Sequence, residues 1–242
     1  ASATLNGVVI VGNNSNNSIT GGAGSDVLDG RLGIDTMVGG KGNDSYMVES
    51  ATDVITEAAN AGNDSAYIFA VAAYTLSANV ENGYMQSGSN NLTGNTSANK
   101  LVGNGNANSI VGGAGNDVMY GGYGKDTLDG GADNDTLDGG AGVDTLIGGS
   151  GNDTYIVGAG DIITSDASGI DKVQTSLAIF DLTNTVLNGA GVAAVENITF
   201  TGGGSFTGVG NNLSNSIVGG ASNDTLVGGT GNDTLDSGAG VD

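Results

Sequence analysis

In three stretches of this chain a large apolar residue recurs at every ninth position, set among polar or small residues. It falls at Leu28, Met37 and Tyr46, then at Met119, Leu128, Leu137, Leu146 and Tyr155, then at Leu226 and Leu235. Neither a helix period nor a simple hairpin gives that spacing. Each such residue is the eighth of a phrase that opens on glycine and has an aspartate sixth. From Gly112 to Val157 the phrase is repeated five times, with Asp117, Asp126, Asp135, Asp144 and Asp153 in phase. Within Gly121–Asp129 the first six residues predict a tight turn, because glycine accepts positive φ and close backbone approach. Thr127-Leu128-Asp129 predicts one short strand, Leu128 pointing one way and its neighbours the other. Two phrases then make a coil of about 18 residues. Coils stack at the ~4.8 Å strand spacing, with the eighth positions as their interior. A nine-residue period with glycine pairs and one carboxylate per period is the mark of a stacked repeat.

The period lapses twice. Residues 48–93 and 158–209 are richer in Tyr, Ile, Val, Phe and Thr, with turn residues at their borders, and predict several strands each. They divide the chain into an N-terminal strand with a first repeat block (1–47), an insert (48–93), a second block (94–157), an insert (158–209) and a third, incomplete block (210–242). The inserts resemble one another. DSYMV at 44–48 returns as DTYIV at 153–157, and DVIT at 53–56 as DIIT at 161–164. Gly62-Asn63-Asp64 returns as Gly169-Ile170-Asp171, and Val80-Glu81-Asn82 as Val195-Glu196-Asn197. A unit of roughly 110 residues therefore recurs. Weaker phrases sit at the start of each block, with Asn17, Asn99, Asn108 and Asn215 in the aspartate slot. They read as coils that join insert to block.

Charge narrows the partners. The chain carries 26 acidic and five basic residues, a net charge of −21. That argues against nucleic acid and against anionic membrane surfaces, both of which need clustered Lys and Arg. Its 47 glycines come without proline, so the composition is not collagen-like. Cys and His are both absent, which removes disulfides, thiolate sites and the commonest general base. No run approaches the roughly 18 apolar residues of a membrane span, and Ala1–Gly12 lacks the basic start of a signal peptide.

The predicted stack sets aspartates of one sign a few ångströms apart over a thin interior. A hard divalent cation cancels that repulsion and uses inward carbonyls as ligands. Oxygen-only ligands in a flexible loop favour Ca²⁺ over Mg²⁺, which demands octahedral geometry, and over Zn²⁺, which prefers His or Cys. At these residues the chain resembles a known family. The phrases at 21–47, 112–156 and 219–242 match the RTX (hemolysin-type) nonapeptide GGxGxDxUx of secreted bacterial proteins. The resemblance implies an all-β parallel β-roll or β-helix solenoid, with several Ca²⁺ ions between turns and the inserts continuing the stack. Each ion would lie between one turn and the turn two phrases later. Carried over, the aspartate ligands are Asp26, Asp35, Asp44, Asp117, Asp126, Asp135, Asp144, Asp153, Asp224, Asp233 and Asp242. Carbonyls would come from Gly21, Gly22, Gly24, Gly39, Gly40 and Gly42 in the first block. In the second they would come from Gly112, Gly113, Gly115, Gly121, Gly122, Gly124, Gly130, Gly131, Gly139, Gly140 and Gly142. In the third they would come from Gly219, Gly220, Gly228, Gly229 and Gly231. The chain departs from the pattern at Arg31, Asp133 and Ser222, each in a glycine position.

Other features read as structure. The ninth-position acids Asp29, Asp129, Asp138 and Asp236 point outward and keep the roll soluble. Tyr46 and Tyr155 hold core positions, and Lys41 and Lys125 face solvent from turns. The third turn positions form no threonine row, which argues against ice binding. No catalytic set is present, so the chain reads as a non-enzyme. The favoured function is a structural, calcium-binding repeat protein of the bacterial extracellular surface or matrix, such as a fibre, surface layer or adhesin. It would fold on Ca²⁺ and join copies of itself head to tail, 238–242 of one copy against 3–7 of the next, since contacts that do not close give filaments. The alternative is the calcium-binding accessory part of a secreted enzyme. Neither reading calls for nucleic acid or direct membrane insertion.

Overall fold

Pairing between residues about 18 apart winds the phrases into a solenoid. The structure, a computed structural model, describes residues 7–165, 168–184, 192 and 194–241. It contains twenty-five short strands, two to a coil, and hence about twelve coils. One wall holds β1 (Val9–Val11), β3 (Val27–Asp29), β5 (Ser45–Val48), β7 (Ser65–Ile68), β9 (Asn82–Met85), β11 (Lys100–Val102) and β13 (Val118–Gly124). It continues with β15 (Thr136–Gly142), β17 (Thr154–Val157), β19 (Lys172–Thr175), β21 (Asn197–Phe200), β23 (Ser216–Val218) and β25 (Thr234–Asp236). The opposite wall holds β2 (Ser18–Ala23), β4 (Thr36–Lys41), β6 (Val54–Thr56), β8 (Ala73–Thr75), β10 (Asn91–Thr93) and β12 (Ser109–Ala114). It ends with β14 (Thr127–Ala132), β16 (Thr145–Ser150), β18 (Ile162–Ser165), β20 (Ile179–Asp181), β22 (Thr207–Val209) and β24 (Thr225–Val227).

The odd strands form one parallel sheet of 13 strands in chain order. The even strands form three sheets, β2 to β6, β8 to β18 and β20 to β24. In the second block Thr127 pairs with Thr145 and Leu128 with Leu146, so each residue lies over its counterpart one coil on. From β12 to β17 the strands are longer than three residues. Pairing runs on through Gly113↔Gly131 and Ala114↔Ala132. A side chain at Gly131 (φ 103) would strike the Gly113 carbonyl oxygen, which is why the second phrase position is glycine.

Both inserts belong to the stack. Ser45 pairs with Ser65 and Ser65 with Asn82, and the same wall continues through Lys172↔Asn197 in the second insert. The coils change length here, and the even wall breaks between β6 and β8 and again between β18 and β20. Extra apolar residues fill the wider coils. Several odd strands turn two residues inward, such as Tyr46 with Val48, Tyr155 with Val157 and Ile198 with Phe200. Val71, Leu76, Val80 and Met85 join the same buried core. In the repeat blocks the core is a single column per wall, Met119–Leu137–Tyr155 facing Ile110–Leu128–Leu146, all fully buried.

The core ends before the chain does. Leu226 is only partly buried and Leu235 is 45 % exposed, against the expectation that both are interior. β25 is the outermost strand of its sheet, and among the described residues no even strand follows to cover it. Of the N-terminal strand expected over 1–11, Val9–Val11 is present, and residues 1–6 lie outside the described residues.

Trimming the thin interior is therefore expected to be expensive. Leu128→Ala should destabilise the calcium-loaded protein by about 2–5 kcal/mol in denaturant unfolding. Thr127→Ala, on the exposed side of the same strand, should stay within about 0.5 kcal/mol of the parent.

Candidate metal centre

In the repeat blocks each turn ends on its phased aspartate, and the next strand begins one residue later. Asp26, Asp35, Asp44, Asp117, Asp126, Asp135, Asp144 and Asp153 are all essentially buried. Their two oxygens do different things. Oδ1 of Asp135 accepts the backbone N–H of Asp117 at 2.8 Å, and Oδ1 of Asp144 accepts that of Asp126 at 2.8 Å. The same bond joins Asp26 to Asp44 at 2.7 Å and Asp135 to Asp153 at 2.8 Å. Each carboxylate thus pins the previous coil through a charge-assisted bond. Oδ2 of all eight aspartates is buried without a hydrogen-bond partner. A buried acceptor left unmade is costly, and more so when charged.

The first glycine of each phrase shows what those oxygens face. A methyl group built on Gly121 would lie 2.5 Å from Asp126 Oδ2 and 2.5 Å from the Gly139 carbonyl oxygen one coil on. Asp26 Oδ2 and the Gly39 carbonyl meet in the same way at Gly21, Asp117 and Gly130 at Gly112, and Asp135 and Gly148 at Gly130. A carboxylate oxygen and a carbonyl oxygen from neighbouring turns converge where glycine leaves room. Hard cations of the calcium type take such oxygen sets, so the residues fit that ion.

The other expected glycines are placed differently. Carbonyls of Gly22, Gly113, Gly122 and Gly131 face the second glycine one coil on, at Gly40, Gly131, Gly140 and Gly149, and those of Gly24 and Gly124 face Gly42 and Gly142. Gly115, Gly229 and Gly231 take positive φ and pack on the backbone of Ser97, Asn211 and Leu213. Gly112, Gly121 and Gly228 offer their carbonyls at Gly94, Gly103 and Gly210, where an asparagine stands in for the acid. In the third block Asp224 Oδ2 already accepts the Gly220 N–H at 2.6 Å, Ser237 supplies the carbonyl beside Gly219, and Asp233 is only half-buried. Asp242 lies outside the described residues. Gly30 and Gly148, not among the expected carbonyls, occupy the same register beside Gly12 and Gly130. Of the departures, Arg31 and Asp133 hold the left-handed backbone of the glycines they replace, at φ 66 and 77. Asp133 Oδ2 accepts the Gly115 N–H at 3.0 Å and so staples two turns.

The acid column also runs beyond the nonapeptides, through residues that the phrase pattern does not single out. Asp35 donates its N–H to Asp53, and Asp44 donates to Asp64, which donates to Glu81 Oε2. In the second unit Asp144 donates to Asp161, and Asp153 to Asp171, which donates to Glu196 Oε2. The doubling of DVIT, Asn63-Asp64 and Val80-Glu81-Asn82 in both inserts was the signal. After each of these glutamates the column passes to an asparagine. Asn99 Nδ2 donates to the Val80 carbonyl at 3.1 Å, and Asn215 Nδ2 to the Glu196 carbonyl at 3.0 Å. Their Oδ1 atoms accept the N–H of Asn95 and Asn211. An asparagine here has both ends of its amide engaged, where an aspartate keeps one oxygen spare.

Burial and like charge act together on these acids. Burial pushes Asp117 up to about 6, and it pushes Asp135 up to about 7 with Asp117 and Asp153 adding to the effect. Asp144 rises to about 6, first through burial and then through Asp161 and Asp126. Glu49 reaches about 7 for the same reasons, beside Asp29, Asp53 and Asp35.

A family model describing the RTX calcium-binding nonapeptide repeat matches the chain four times, at residues 11–46, 86–119, 120–155 and 209–242, together more than half of its length. No curated protein matches the chain.

The raised carboxyls predict an unusual response to pH. Without metal, folded Asp135 keeps its proton up to about pH 7, whereas an unfolded aspartate releases it near ~3.9. The folded state then binds more protons in that window, so its stability falls as pH rises through it. In chelator, the β signal in circular dichroism should be stronger at pH 5 than at pH 8. In saturating Ca²⁺ the order should reverse, because the ion binds the deprotonated acids. An equal or stronger signal at pH 8 in chelator would contradict this account.

Proposed function

Because the chain belongs to the RTX calcium-binding nonapeptide-repeat family, we infer that it is a calcium-folded structural segment of a bacterial extracellular surface or matrix protein. RTX repeats bind Ca²⁺ in a β-roll, a structural module rather than a catalytic one. The observation that carries the reading is the row of buried, unpaired Oδ2 atoms, of which those of Asp26, Asp117, Asp126 and Asp135 each meet a glycine carbonyl of the next coil. The ions lie in those pockets, and the phased aspartates with the first-position glycines are their ligands. Each ion removes a desolvated negative charge and ties two successive turns together. The repeat blocks, with one apolar column per wall, fold only with that support. The organisation into three repeat blocks and two inserts is part of the same reading.

Extracellular calcium modules bind with Kd ~10⁻⁴–10⁻³ M. Such affinity leaves the chain unfolded at cytosolic calcium and folded outside. At ten times Kd each site adds ~1.4 kcal/mol, so several sites make folding switch-like. No catalytic role is assigned to these residues, since the chain has neither His nor Cys and its phased acids serve the turns. Copies of the chain associate through their end coils. β1 and β25 are the outer strands of the long sheet, and Val9 at 70 % and Leu235 at 45 % exposure are open apolar positions there. Of the proposed pairing of 3–7 with 238–242, residues 3–6 and 242 lie outside the described residues.

Adding Ca²⁺ to chelated protein should raise the β signal cooperatively, and β structure already complete in chelator would refute the coupling. Asp135→Ala removes one pocket oxygen and also the cap on the Asp117 N–H. Calorimetric titration of this variant should show two adjacent sites weakened, not one. Light scattering at millimolar Ca²⁺ should report association that chelator reverses. A strict monomer at high protein concentration rules self-association out while leaving the calcium reading intact.

A further inference from the structure

One group of acids is unlike the repeat pockets. In a regular pocket the first position of the next coil is a glycine that supplies a carbonyl. Opposite Gly39 that position holds Glu57, by continuation of the pairing Met37↔Ile55 and Val38↔Thr56. The Glu57 side chain turns inward and is buried. Its Oε1 accepts the Tyr46 hydroxyl proton, and its Oε2 is buried without a hydrogen-bond partner. Asp44 Oδ2, Glu57 Oε1 and Tyr46 Oη converge on the space where Gly39 lacks a side chain. Asp44 is 1 % exposed and its Oδ2 has no partner. Asp64, from the turn above, completes the group, with one carboxylate oxygen from each of Asp44, Glu57 and Asp64 within 4.8 Å of the others.

We propose that Asp44, Glu57 and Asp64 form a separate site for one hard cation, set apart from the nonapeptide pockets by a third carboxylate. Glu57 and Asp64 lie outside every stretch matched by the repeat family. A regular interval such as Asp126 to Asp144 brings two carboxylates to neighbouring turns. Three carboxylates around one buried space hold a more highly charged cation more firmly, because each added negative charge attracts in proportion to the charge of the ion. The site therefore holds Ca²⁺ more tightly than the repeat pockets, and it selects trivalent over divalent ions more strongly than they do. Among the described residues it is the one such group of three carboxylates. This inference rests on the calcium reading above and refines it.

Terbium(III), excited through a neighbouring tyrosine, is the probe. In the full chain, the first equivalent of Tb³⁺ should give tyrosine-sensitised emission. Glu57→Gln should lose that emission and bind one Ca²⁺ fewer in equilibrium dialysis, with its β signal in Ca²⁺ retained. Tyr46→Phe should also lose the first-equivalent emission. A Glu57→Gln protein with full emission and an unchanged calcium count overturns the site while leaving the repeat pockets standing. If Glu57→Gln does not fold, Tyr46→Phe decides, and undiminished emission from it overturns the site. A parent chain that takes up no Ca²⁺ overturns both this site and the repeat reading.

Discussion

A stack of parallel coils in register puts every residue above its own kind. Leucine over leucine is harmless and glycine over glycine is useful, but aspartate over aspartate is neither. The buried acids at 117, 135 and 153 stand in one such column, and the outer two raise the proton affinity of Asp135 between them. The fold answers with a division of labour inside one side chain. Oδ1 holds the amide of the coil before it, and Oδ2 is left without a protein partner. Glycine at the first phrase position follows from this, since any side chain there fills the space the ion needs.

Much of this can be read from the chain itself. The period of nine, the inward Leu128 and the pairing of alternate phrases all come from spacing, and the parallel pairing at 18 residues agrees with them. The site is less open to such reading. Asp53, Asp64, Asp161 and Asp171 continue the acid columns, but coil length drifts within the inserts, as in the 17- and 20-residue steps around Asp64, and the phase is lost. Spacing says nothing of Glu57 either, because its role depends on which way the side chain turns after β6. Leu235 fails for another reason. Its position in the phrase is apolar, yet burial needs a neighbouring layer, and a local pattern does not count layers.

Two kinds of coil alternate along the axis. Repeat coils have a narrow apolar column, many glycines and spare carboxylate oxygens. Insert coils have doubled inward residues, such as Ile198 with Phe200, and glutamates at the end of their acid columns. The asparagines at 99 and 215 sit at the change from one kind to the other. Their amide nitrogens bind the carbonyls of the insert below, and their oxygens close their own turn. The bonds from these side-chain amides to the insert below join neutral groups.

The bonds between coils run along the axis of the solenoid, and this has a mechanical consequence. Tension applied to the two ends loads the coils in series, so an outer coil peels before an inner one is disturbed. Each released coil of about 18 residues pays out roughly 60 Å of chain, where it occupied one strand spacing of ~4.8 Å. On the reading proposed above, ions held between adjacent turns would rivet each step, and ambient calcium would then set the force at which a coil lets go.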